Sequence, residues 1–132
     1  MGSFNFESLK KLKKEFGGVL PASKFYTLME DITEELGGRV LRNVVKRTPE
    51  RPKNGGTLKR GWKLSKVKSN PKSVTIDVYN AVPYAIYVEK GHRTKNHRGW
   101  VEGKFMLEKA ENDVKQVMRI VIHNFVLKAL KK

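Results

Sequence analysis

Cysteine is absent from the 132 residues. That excludes thiol catalysis, disulfides and any zinc site needing sulfur ligands, and it fits an intracellular origin. Long hydrophobic runs are absent too. No stretch approaches about 18 uninterrupted apolar residues, so no membrane span is expected. Met1 to Leu12 holds no apolar run of signal-peptide type. The serines lie in cap, strand or turn settings without a Gly-x-Ser-x-Gly elbow, and Gly55-Gly56 lacks the Lys-Ser/Thr of a phosphate-binding loop. Acidic residues are scarce: 13 Asp and Glu face 28 Lys and Arg, for a formal net charge of +15.

The length suits one domain, since two cores would each fall near the marginal size of about 60 residues. A hydrophobic content of 39% is enough for one core. The charge excess points to a polyanion or an acidic neighbour and carries no information about fold. It is concentrated. Arg39 to Lys72 holds twelve basic residues and one acid, Glu50; Lys90 to Lys104 holds five against Glu102; the remainder is balanced.

Asn5 to Phe16 reads as an amphipathic helix, with Leu9, Leu12 and Phe16 on one face, ended by Gly17-Gly18. Residues 1–21 are expected to form an N-terminal helical arm, and residues 22–132 a single domain. From Ser23 to Arg47, Phe25, Leu28, Met29, Ile32, Leu36, Val40, Leu41, Val44 and Val45 recur at three and four, predicting a long helix. Its acids lie early and its bases late, complementing the helix dipole. Gly37-Gly38 predicts a kink or a close helix crossing, and Thr48-Pro49 a stop. Leu58 to Val67 reads as a strand, with Leu58, Trp62 and Leu64 on one face. Ser69 to Lys72 reads as a turn, and Val74, Ile76 and Val78 mark a second strand, making an antiparallel hairpin. Ala81 to Gly91 is either helix or strand by periodicity. Gly91 to Gly103 reads as a polar loop. Lys104 to Leu130 predicts a long helix with a stripe of Phe105, Ala110, Val114, Val117, Val121 and Phe125. The class is α+β: a small antiparallel sheet with helices packed on one face and a long C-terminal helix.

Three constellations could carry chemistry. His92 and His97 lack the spacing that puts two imidazoles on one helix face, with only Glu89 and Glu102 as nearby carboxylates. Asp77 with Glu102-x-Lys104 has the skeleton of a metal-dependent nuclease, but the Glu-x-Lys sits at a loop-to-helix junction instead of on a strand. His123 on the last helix reads as packing or surface. The chain is therefore read as non-enzymatic, without cofactor or metal. Lys59, Arg60, Lys63, Lys66 and Lys68 beside Trp62 and Tyr79 would allow non-specific nucleic-acid binding; that, or a vestigial nuclease, is the alternative reading.

Four segments in order resemble a family of small tailed-phage structural proteins, the tail-component (tail-completion and head–tail joining) proteins of siphophage and prophage morphogenesis clusters. They are Leu41-Arg42-Asn43-Val44-Val45-Lys46-Arg47-Thr48-Pro49, Gly56-Thr57-Leu58-Lys59-Arg60-Gly61-Trp62, the run from Val82 to Thr94, and Gly99-Trp100-Val101-Glu102-Gly103-Lys104-Phe105-Met106-Leu107. The loop Glu50 to Gly55 departs from the family's shorter, Asp-containing step. The resemblance implies a neck or tail-end protein of the virion, made in the host cytoplasm and assembling as a ring, a hexamer. It would join the head connector or stopper to the tail tube or terminator. Candidate interface residues are Thr57, Trp62, Tyr84, Tyr87, Glu89, His92, Arg93 and Trp100. Candidate residues for a DNA-facing lumen or an acidic partner are Arg51, Lys53, Lys59, Arg60, Lys63, Lys66 and Lys68.

Overall fold

Seven apolar residues at helical spacing — Phe25, Leu28, Met29, Ile32, Leu36, Val40 and Val44 — are buried along helix α1, Ala22–Arg47. Each such side chain stabilises the fold by about 1.5–3 kcal/mol when removed from water. The structure is a computed structural model describing residues 3–5, 22–49, 56–71 and 73–131. Beyond Asn5, which ends strand β1 (Ser3–Asn5), the helix expected up to Phe16 lies outside the described residues.

α1 runs unbroken through Gly37-Gly38. A Cβ on Gly37 would stand 2.8 Å from Ile76 Cγ2 and 3.2 Å from Leu64 Cδ1. The glycine therefore marks a close approach of helix to sheet. Thr48 ends the helix; its buried hydroxyl donates to Val44 O at 2.6 Å.

The sheet is built on β4, Val74–Asn80, which turns Val74, Ile76, Val78 and Asn80 inward and Thr75, Asp77 and Tyr79 outward. β1 pairs antiparallel with it (Phe4 opposite Ile76). β2, Trp62–Leu64, pairs with its end (Lys63 opposite Tyr79), and β3, Lys68–Ser69, with its start (Lys68 opposite Thr75). Between β2 and β3 the Ser65 hydroxyl replaces a backbone acceptor, taking the Asp77 N–H at 2.9 Å. The expected turn at Asn70 is present, closed by paired backbone bonds between Asn70 and Ser73.

One face of this sheet packs on α1. α1 also packs along α4, Met106–Leu130, which buries Met106, Leu107, Ala110, Val114, Val121 and Val126. The result is the expected α+β domain with its long C-terminal helix.

Three local expectations are corrected and one left open, Ala81 to Gly91, is resolved. The strand expected from Leu58 begins only at Trp62: Thr57–Arg60 forms one helical turn, α2, opened by Gly56 at φ 91°. Leu58 and Trp62 are both buried because a four-residue step returns to one side of a helix as well as of a strand. Ala81 to Gly91 contains a helix, α3, Ala85–Lys90. The polar loop Gly91 to Gly103 is instead a β-ribbon, β5 (Gly91–Arg93) against β6 (Trp100–Glu102), with His92 opposite Val101 and Arg93 opposite Trp100. Phe105, expected in the stripe of α4, sits before its first turn in the left-handed region at φ 48°, partly exposed.

Candidate interaction surface

The quoted segments meet in space. The Trp62 indole N–H donates to the Thr48 hydroxyl at 2.7 Å, both buried, joining the end of α1 to the start of β2. Asn80 locks the same corner: its amide donates to Leu58 O and its Oδ1 accepts from Val82 N–H, each at 2.8 Å. A Cβ on Gly61 would collide with that Asn80 side chain. Trp62 is thus a core residue and presents no surface to a partner in this fold.

Glu89 is also turned inward. No side chain at Phe105 caps α4. The cap comes from sixteen residues earlier: Glu89 Oε1 accepts from Leu107 N–H at 2.9 Å and Oε2 from Glu108 N–H at 3.3 Å. A carboxylate at a helix N-terminus satisfies orphan donors and complements the dipole. The main chain repeats the tie, with Lys104 N–H to Val88 O at 2.8 Å and Phe105 N–H to Glu89 O at 3.0 Å. The sequence carried one signal of this: no Ser, Thr, Asp or Asn stands where α4 begins, so a cap had to come from elsewhere. Farther along α4, burial is the main cause that raises the pKa of Glu111, with Glu89 and Glu108 adding to it and Lys115 opposing it.

These ties hold the β5–β6 ribbon by its base. Gly91 has φ 90°, and a Cβ there would stand 2.5 Å from Val101 O; one on Gly103 would collide with Glu89 O. On this rigid mount Tyr84, Ile86, Tyr87, Trp100, Val101 and Phe105 are exposed, Tyr87 at 57% and Trp100 at 56%. Tyr87 and His92 meet edge-on, ring centroids 6.3 Å apart. Trp100 lies over Gly91, and Arg93 pairs opposite it. Of the expected interface residues, Tyr84, Tyr87, His92, Arg93 and Trp100 lie at α3 and on the ribbon, with His92 and Val101 on one face of the ribbon and Arg93 and Trp100 on the other. Thr57 is exposed on α2, outside this group of elements.

The basic segment is less uniform than its sequence implies. Arg39 bonds Glu35 at 2.9 Å, Arg47 bonds Asp113 at 2.6 Å, and Lys68 bonds Asp77 at 3.2 Å. Arg60, Lys63 and Lys66 are exposed, Lys59 is half-buried, and Arg51 and Lys53 lie outside the described residues. The Asp77 carboxylate, considered above for a nuclease, is held by Lys68. Among the described residues no group of three His, Cys, Asp or Glu could hold a metal ion, and no helix is long and apolar enough to cross a membrane.

Residues 8–91 match the family model described as "Bacteriophage HK97-gp10, putative tail-component". The chain belongs to this family. No curated protein and no solved structure matches it. In this phage tail-component protein the matched span contains the Thr48–Trp62 corner and the whole of α3. The span ends at Gly91, where the ribbon starts. The ribbon and α4 stand beyond it, and the exposed aromatic surface straddles the boundary.

Proposed function

We propose that the protein is a ring-forming assembly module of the head–tail connection or tail end, in which α3 and the β5–β6 ribbon make the contacts between subunits. Its partners are copies of itself, in a hexamer, and the connector or stopper and tail-tube or terminator proteins above and below. One observation carries the reading. Six large apolar side chains on α3, the ribbon and the start of α4 are left to water on a mount held by Glu89, Gly91 and Gly103. Large apolar side chains exposed on held elements mark interaction sites, and Tyr and Trp anchors dominate interface energies; here Tyr87 with His92 and Val101, and Trp100 on the opposite ribbon face, would meet two neighbours, as a ring subunit does. The tail-component family supplies the setting.

The test is the oligomeric state. Light scattering and negative-stain images of the wild-type chain should show rings or concentration-dependent oligomers. The double substitution Tyr87→Ser, Trp100→Ser should shift the association midpoint upward by about 100-fold, as loss of two hot-spot side chains would. A wild-type chain that stays monomeric at every concentration, with unchanged behaviour in the double variant, would count against the ring.

A further inference from the structure

We propose that the tip of the β5–β6 ribbon is a contact for duplex DNA, made through backbone phosphates and without sequence preference. Of the residues expected to form the polyanion surface, Lys68 is engaged by Asp77, and Arg60, Lys63 and Lys66 are exposed but spread along α2, β2 and the link to β3. The ribbon gathers its cations in one turn. Arg93, Lys95, His97 and Arg98 are all exposed, lie within six residues, and make no ion pair among the described residues. No acidic residue occurs between Lys90 and Val101.

The tip is built without using those side chains. Thr94 Oγ1 donates to Asn96 Oδ1 at 2.6 Å and accepts from Gly99 N–H at 3.1 Å; Arg98 N–H donates to Asn96 Oδ1 at 3.0 Å. His97 N–H donates to Thr94 O at 2.9 Å, with His97 itself in the left-handed region at φ 59°. Two neutral residues fix the turn, and the cations project from it.

Shape favours a nucleic acid over an acidic protein. A two-stranded ribbon has the width that the major groove of B-DNA admits. Guanidinium forks match phosphate oxygens bidentately. The tip from Thr94 to Gly99 has no large apolar side chain to anchor a protein partner; those sit at the base of the ribbon. Asn96 Oδ1 is committed to the turn, so the tip meets DNA through its cations, whose attraction to the phosphates is independent of sequence.

The test uses the full chain and a mixed-sequence DNA duplex of about 24 base pairs, with fluorescence anisotropy from about 50 to 200 mM salt. The triple substitution Arg93→Ser, Lys95→Ser, Arg98→Ser should reduce the log–log salt slope by about 2–3 units, near 0.9 per lost phosphate contact. A matched triple on the sheet side, Arg60→Ser, Lys63→Ser, Lys66→Ser, should change it by less than one. Circular dichroism checks that both variants fold. Absent binding at low salt, equal losses in the two triples, or tighter binding of poly-glutamate than of DNA at equal charge and salt would each overturn the proposal. The last outcome would assign the tip to an acidic protein. The DNA readout is independent of ring formation: a monomer that binds DNA through the tip would sink the assembly reading alone.

Discussion

Glu89 shows how a single buried carboxylate can organise two elements. Among the described residues it forms no ion pair; its partners are the backbone N–H groups of Leu107 and Glu108. Glu89→Ala should destabilise the domain by about 2 kcal/mol, the cost of losing a charged cap and leaving buried donors unmet, read as a lower urea midpoint. Thr48 works in the same manner with a neutral group. Thr48→Val strands the buried Trp62 N–H and should cost about 1–3 kcal/mol, whereas Thr48→Ser should recover most of it. Glu111 predicts the opposite sign. Its pKa in the folded chain is raised above the ordinary 4.5, chiefly by burial. The folded state therefore binds that proton more tightly than the unfolded one, and the stability this confers is lost as pH rises through the folded pKa. Glu111→Gln should raise Tm at neutral pH, and the gain should vanish as pH falls below the unfolded value.

At the scale of elements, the two glycines at the base of the ribbon decide whether it is held. Gly91→Ala strains a left-handed backbone and meets Val101 O. The cost should be about 1–3 kcal/mol, visible as lost hydrogen-exchange protection at Lys104 and Phe105. The same elements show what periodicity can and cannot reveal. α1, β4 and α4 were legible because each has one face in the core, so burial writes its period into the sequence. α2 was misread because Leu58, Trp62 and Leu64 are spaced by even numbers, and the step of four fits either period. The ribbon was invisible for a related reason: nearly every residue in it is exposed, so no apolar alternation is imposed on β5 or β6. Of the expected surface residues, Tyr84, Tyr87, His92, Arg93 and Trp100 are exposed at α3 and on the ribbon. Trp62 and Glu89 are not, because their roles depend on Thr48 and on the uncapped start of α4, which no local pattern discloses.

For the whole molecule the +15 charge is a standing source of self-repulsion, relieved locally by the pairs at Arg39, Arg47 and Lys68. Such exposed pairs contribute little, about 0–1 kcal/mol each. Raising ionic strength from low to physiological values should therefore raise Tm by several degrees, sulfate more than chloride at equal ionic strength. A Tm that falls or stays flat over that range would contradict this. The ties between Val88 and Lys104 and between Glu89 and Phe105 have a further consequence. The chain leaves and re-enters the scaffold at adjoining points, so everything from His92 to Glu102 is an excursion whose length the core does not sense. Loop-closure entropy rises slowly with length. The ribbon is thus a graft point: it can be shortened, extended or exchanged while α1, α4 and the sheet remain as they are, and a new partner would require a new ribbon, not a new fold.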